Sequence, residues 1–341
     1  MFAVIDSMFH KLNLSKFSFL VTGGAGFIGS NLVEYLVEHD AGHIRILDNL
    51  STGSLANIKP FMDLPNVEFI QADIRDLGVC RKAVDKIDFI SHQAALGSVP
   101  RSIVDPIGSN EVNIGGFLNM LVAAKDSPEL KRFVYAASSS TYGDSPFLPK
   151  VEGQEGKPIS PYAVTKAVNE LYAAVFSSSY QFHSIGLRYF NVFGPRQSPT
   201  NAYAAVIPVF CKHFLEGTAP TINGDGETSR DFTYVENAVQ ANIRALLFDT
   251  EEPSKALSQH AVFNVACGAQ ISLNQVIKSL QKISGRDIEA LYQPERAGDI
   301  KHSFASIAMA TAALDYDPLI KFSEGLKMTY ASIERNFGVN A

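Results

Sequence analysis

The sequence predicts an α/β protein: a doubly wound parallel sheet with a smaller α/β C-terminal domain. Three observations predict it. Strand-like apolar runs alternate with amphipathic helical segments through the first half of the chain. A glycine run, TGGAGFIGS at 22–30, stands between the first such run and the first helical segment. After Gly194 the rhythm breaks into short pieces punctuated by Pro195, Pro199, Pro208 and Pro220 and by the turn cluster NGDGE at 223–227.

In chain order, FSFLVTG (17–23) reads as the first strand and SNLVEYLVEH (30–39), with leucine and valine at helical spacing, as the first helix. Strands follow at 43–49 and 67–73, a helix at 76–84 and a fourth strand at 87–95. A long helix at 111–127, a fifth strand at 132–140, a helix at 161–180 and a sixth strand at 183–194 complete the series. The expected division gives residues 16–193 plus 231–258 to the dinucleotide-binding, Rossmann-type domain. Residues 194–230 plus 259–341 go to the substrate domain.

Composition narrows the function. The 341 residues are 46% hydrophobic and 19% charged, as in a globular enzyme. Lys plus Arg number 29 against 35 Asp plus Glu, a formal charge of −6 with no basic run, which disfavours nucleic acid as a partner. Cys80, Cys211 and Cys267 are far apart and form no C-x-x-C, so no disulfide framework or metal site is expected. Asp6 interrupts the first apolar run, and no apolar stretch reaches the roughly 20 residues of a membrane span. The expectation is a cytoplasmic protein without a membrane partner.

Three constellations carry chemistry. Gly23 permits a tight turn, Gly26 a close approach of backbone to a pyrophosphate, and Gly29 close packing of helix on sheet, with helix amides open to the anion. The spacing is G-x-x-G-x-x-G, and taken alone it fits a mere turn as well. Asp48 ends the second strand, where a carboxylate accepts from both hydroxyls of an adenosine ribose and repels a ribose phosphate; this favours NAD over NADP. A strand-end cap is its simpler reading. Tyr162 and Lys166 in YAVTK share one helix face, where an ammonium lowers the pKa of a phenol that is otherwise a poor base. The alternative is a solvated surface pair. Ser138, Ser139 and Ser140 end the fifth strand, at the sheet edge where ligands bind in open α/β folds, or else cap their own backbone.

Together these stretches resemble the extended short-chain dehydrogenase/reductase family, in its nucleotide-sugar branch. The resemblance spans TGGAGFIG, LDNLSTG, ADIRD, HQAALGSVPRS, Asn113 to Gly116, AASSSTYGD, YAVTK, LRYFNVFGPRQ, NGDGETSRDFTYVEN and RAGDIKHS. HQAALGSVPRS and AASSSTYGD are most similar to UDP-N-acetylhexosamine 4-epimerases of surface polysaccharide synthesis. The resemblance implies Tyr162 as general base, Lys166 as its electrostatic partner and Ser138 as the catalytic serine. For NAD it implies Gly23, Gly26, Phe27, Ile28, Gly29, Asp48, Asn49, Ser51, Gly53, Asp73, Ile74, Gln93 and Ala94, with Tyr162 and Lys166 at the nicotinamide end. For the UDP-sugar it implies Gly97, Ser98, Ser139, Ser140, Asn191, Gln197, Arg230, Arg296, Asp299 and Ser303. The two arginines would grip the diphosphate, and Ser303 would leave room for a 2-acetamido group where hexose-restricted relatives carry a bulky tyrosine.

The implied reaction is NAD-dependent 4-epimerisation of UDP-N-acetylglucosamine and UDP-N-acetylgalactosamine through a 4-keto sugar. The alternatives are a UDP-N-acetylglucosaminuronate 4-epimerase, with Arg101, Ser98 and Ser102 meeting the carboxylate, or a UDP-glucose/galactose enzyme. Absence of an Asp–Glu pair beside the serines argues against a 4,6-dehydratase, and the intact Tyr162–Lys166 pair argues against an NAD-sensing scaffold. Thr165 stands where the family often has serine. Helices 111–125 and 161–180 carry more apolar surface than one core face needs, so a homodimer is expected.

Overall fold

The computed structural model describes residues 8–200, 204–248, 260–295 and 301–337. Strands β1 (Ser18–Thr22), β2 (His43–Asp48), β3 (Val67–Gln71), β4 (Phe89–His92), β5 (Arg132–Ser138) and β6 (Ser184–Tyr189) form one parallel sheet with a seventh strand, His260–Val265. The order across the sheet is seventh–β6–β5–β4–β1–β2–β3. The chain therefore winds outward in both directions from β1 and β4, whose pairing sets Phe19 against Phe89. A crevice opens at the carboxyl ends of these two strands, the topological switch point.

Burial on both faces explains the continuous apolar runs. Phe19, Leu20 and Val21 of β1 are all fully buried, because helices cover each side of the sheet. One layer sets α1 (Phe27–Glu38) and the helix Val235–Leu247 on the sheet, through Leu32, Leu36, Ala241 and Leu246. The other sets Leu77–Val84, Phe117–Lys125 and Pro161–Tyr180 on the opposite face, through Ala83, Met120, Leu121 and Phe176.

The seventh strand corrects the expected domain boundary. Residues 259–341 were assigned to the smaller lobe, yet His260–Val265 pairs in parallel with β6 and buries Phe263 and Val265 in the main core. Its pairing partner lies some seventy residues earlier, and no local signal announces a return across that distance. The smaller lobe has its own core. The helices Val206–Glu216, Leu273–Ser284 and Phe322–Phe337 enclose Phe193, Phe214, Ile222, Val276, Leu280 and Leu326. Ser272 and Gln275 cap one of these helices reciprocally, and left-handed Gly217 and Gly285 close two of them.

Candidate active site

The crevice is a cavity of about 500 Å³ at the carboxyl edge of the sheet. Its first wall is the glycine turn. Gly23 adopts φ +65°, and a Cβ there would lie 2.7 Å from the backbone nitrogen of Ala94. A Cβ at Gly29 would land on the carbonyl oxygen of Gly23. Gly26 occupies the N-cap of α1 and has no side chain to take up the first-turn amides. Those amides have no acceptor within the helix and border the cavity at Phe27, Ile28 and Gly29. This is the arrangement a pyrophosphate fits, with the space reserved by missing side chains.

Asp48 serves its own backbone and stands on the cavity wall. Its carboxylate accepts from the amides of Ala25 (2.9 Å) and Leu50 (2.7 Å), tying the glycine turn to β2, and it also lines the cavity. Burial raises its pKa, while the amides of Leu50, Ala25 and Gly26 pull the other way. Asn49, Ser51, Ile74, Gln93 and Ala94 complete this end. Gly53 and Asp73 are not on the wall. A Cβ at Gly53 would press on Ala25 and on Asp48 Oδ1, so this glycine lets the 48–54 turn pack beneath the loop. Asp73 is held at the rim by Arg75 and by Asn49 Nδ2, and the Arg75 hydrogen bond brings its pKa down to about 2.

At the other end Ser138, Tyr162 and Lys166 face the same cavity. Lys166 Nζ donates to the Ala136 carbonyl at 2.8 Å, and burial lowers its pKa to about 8 against the pull of Glu170. Burial raises the Tyr162 phenol, and a hydrogen bond with Ser138 opposes that. Ser140 donates to Ser138 Oγ from both its amide (3.1 Å) and its hydroxyl (2.9 Å). Ser139 and Ser140 themselves lie on the 3-10 turn Ser139–Tyr142, outside the cavity wall, and of the two it is Ser140 that holds Ser138.

Gly97, Ser98, Asn191 and Gln197, expected at the substrate, line the same cavity. Gln197 Nε2 donates to the Val192 carbonyl, and its buried Oε1 has no partner among the described residues. Arg230 and Ser303 stand side by side on paired two-residue strands, away from the cavity wall, and Arg230 donates to the carbonyls of Ser229 and Lys301. Arg296 and Asp299 lie outside the described residues. Ser102 departs from the expectation of a hydroxyl free for a substrate carboxylate. It is fully buried and accepts the amide of Tyr162 at 3.0 Å.

Sequence reasoning missed Tyr189. It lines the cavity, and its hydroxyl donates to Gln93 Oε1 and accepts from Asn242 Nδ2. Asn242 also accepts from Gln93 Nε2, so a buried network fixes the orientation of Gln93. Nothing local marks it, since Asn242 is 149 residues from Gln93. Among the described residues, no group of three or more His, Cys, Asp or Glu is placed to hold a metal, and no helix is long and apolar enough to cross a membrane.

Comparison with known proteins bears on the family and the fold. Residues 19–266 match the model of the NAD dependent epimerase/dehydratase family. A putative UDP-glucose 4-epimerase of Methanocaldococcus jannaschii is 34% identical over 93% of this chain and 98% of its own. The UDP-N-acetylglucosamine 4-epimerase of Methanobrevibacter ruminantium, solved with UDP-N-acetylmuramic acid, superposes with a TM-score of 0.86 at 38% identity, covering 94% of this chain and 99% of that one. The UDP-glucose 4-epimerase of Thermotoga maritima, solved with UDP-glucose, gives 0.86 at 33% identity, with coverage of 94% and 99%.

Proposed function

The chain belongs to the NAD dependent epimerase/dehydratase family, and from that premise we propose that it interconverts UDP-N-acetylglucosamine and UDP-N-acetylgalactosamine. The coarser activity, an NAD-dependent nucleotide-sugar 4-epimerase, is common to the relatives above. One observation carries the reading: the glycine cradle and the Ser138–Tyr162–Lys166 set open into a single cavity. The N-acetylated sugar is favoured by the likeness to the Methanobrevibacter ruminantium enzyme; Ser303, away from the cavity wall, does not bear on it. Ser102, already committed to a backbone amide, is withdrawn from the groups that would meet a uronate.

NAD fits the cradle, where Gly23, Gly26 and Gly29 would leave room for its diphosphate and Asp48 would meet its adenosine ribose; when bound it would supply hydride acceptance and return at sugar carbon 4. The chain's own residues handle the proton and the geometry. Tyr162 takes the 4-hydroxyl proton, with Ser138 bridging phenol and sugar oxygen. Burial alone disfavours the phenolate, so the Lys166 ammonium is needed to offset it. The 4-keto sugar then presents its other face, and Tyr162 returns the proton. Gln197, on the cavity wall, would contact the sugar-nucleotide. We assign the active unit as a homodimer, built on the apolar helix face treated below.

The test is incubation of the purified chain with a panel of UDP-sugars and no added NAD, with products read by chromatography. Interconversion of the two N-acetylhexosamines is expected, with NAD released on acid denaturation. Tyr162→Phe should slow turnover by about 100-fold or more. Exclusive turnover of UDP-glucose or of a UDP-uronic acid would overturn the sugar assignment, and near-normal rates for Tyr162→Phe would overturn the mechanism.

A further inference from the structure

The first turn of the helix Pro161–Tyr180 leaves one amide without a partner from its own surroundings. The first helical residue is Pro161, which has no N–H. Ser160 Oγ caps Ala163 at 3.1 Å, and the Ser160 carbonyl takes the amide of Val164 at 3.0 Å. The remaining amide is that of Tyr162, and its acceptor comes from 60 residues earlier in the chain, as Ser102 Oγ at 3.0 Å. Ser102 in turn donates to the Val99 carbonyl at 2.8 Å, so both functions of its hydroxyl are engaged. It is fully buried, in the short helix Val99–Val104 that directly follows the cavity residues Gly97 and Ser98.

The other side of Tyr162 is tied to the same segment. Thr165 Oγ1 donates to the Tyr162 carbonyl at 2.8 Å and accepts from Asn113 Nδ2 at 3.1 Å. Asn113 pairs with Leu96 through both its backbone groups, accepting from the amide at 2.8 Å and donating to the carbonyl at 3.2 Å. The segment between Leu96 and Val104 thus grips the tyrosine's backbone N–H directly and its C=O through two side chains. Within that segment Ser98 adopts φ +129°, a conformation side chains resist, and its Oγ accepts the Arg101 amide.

We infer that Ser102 is a positioning residue that fixes the Tyr162 phenol relative to the Gly97–Ser98 wall of the substrate cavity. It touches neither substrate nor cofactor. The inference rests on Tyr162 being the general base of the proposed reaction, where a displacement near 1 Å costs on the order of 100-fold in rate.

The experiment compares wild type, Ser102→Ala and Ser102→Cys with NAD bound as purified. Ser102→Ala removes the acceptor, and Ser102→Cys keeps the size with a weaker one. Ser102→Ala should lower kcat roughly 10- to 100-fold, leave KM for the UDP-sugar within about threefold and retain NAD. Ser102→Cys should fall between the two. Hydrogen exchange in the peptide covering residues 158–168 should quicken in Ser102→Ala relative to the rest of the chain. The inference is overturned if Ser102→Ala keeps wild-type kcat, or if both variants lose activity only in proportion to lost NAD. Unchanged exchange at 158–168 also overturns it. If wild type turns over no UDP-sugar, the proposed function fails separately, and the exchange comparison still judges the hydrogen bond.

Discussion

Lys166 is nine-tenths or more buried, and its ammonium has one fixed acceptor, the Ala136 carbonyl. Burial lowers its pKa to about 8 from the model-peptide value of 10.5. The sign of the linkage follows. Between about pH 8 and 10.5 the unfolded chain holds a proton that the folded chain has released, so stability contributed by this group rises with pH across that window. Below pH 8 the folded state carries a buried cation at a cost. Lys166→Met should therefore be more stable than wild type at pH 7 by roughly 1–3 kcal/mol, and lose the rise toward pH 10. It should also lose at least about 100-fold in turnover. Denaturant unfolding of both proteins, stripped of NAD so that ligand stabilisation does not enter, measures the first effect at pH 7 and pH 9.5. Equal stability at both pH values would show that the ammonium is not penalised.

At the scale of elements, the catalytic helix, the serine turn and β6 are joined by one guanidinium. Arg188 is 4% exposed and donates in a fork to Glu170 on the helix, through Nε to Oε1 at 2.9 Å and Nη2 to Oε2 at 2.6 Å. It also pairs with Glu155 in the following loop and lies over the ring of Tyr142. Arg188→Met strands two carboxylates and should cost about 3–5 kcal/mol, read as a fall in the denaturant midpoint. A loss under 1 kcal/mol would mean that the fork contributes little beyond its volume. This junction marks the border of what the sequence discloses. The helix at 161–180 was legible because serine, proline and apolar spacing announce it locally, and the glycine turn was legible for the same reason. The expected strand at 183–194 is two strands, Ser184–Tyr189 and Val192–Phe193, because Asn191 turns to φ +37° and breaks the run. Asn242 and the seventh strand stayed hidden, and Ser102 was named for the wrong task, because each acts on a partner 60 or more residues away. Pairing at that range depends on topology, which no window of sequence contains.

For the whole molecule, the proposed homodimer needs a surface on which a second copy would sit. The expected excess of apolar surface on helices 111–125 and 161–180 divides unequally. None of the large apolar side chains of 111–125 is among the exposed ones, since Met120, Leu121 and their neighbours pack into the sheet layer. Val164, Leu171 and Val175 are exposed instead, spaced by seven and then four along one face of Pro161–Tyr180. Ile103, Val104 and Ile107 are exposed on the two short helices Val99–Val104 and Pro106–Asn110, which pack against that long helix. A contiguous apolar face of this kind is unusual on a monomer. A two-fold pairing of the face with itself would cover these side chains, on the helix that carries Tyr162 and the short helix that carries Ser102. Leu171→Glu places a charge on this face, at the most exposed of the three long-helix side chains. Light scattering after gel filtration should give twice the chain mass for wild type and the single mass for Leu171→Glu, while far-UV circular dichroism stays unchanged. A wild-type monomer, or a dimer indifferent to the glutamate, would place the interface elsewhere. If the face also steadies the helix that carries Tyr162, the monomeric variant should keep its NAD yet turn over more slowly.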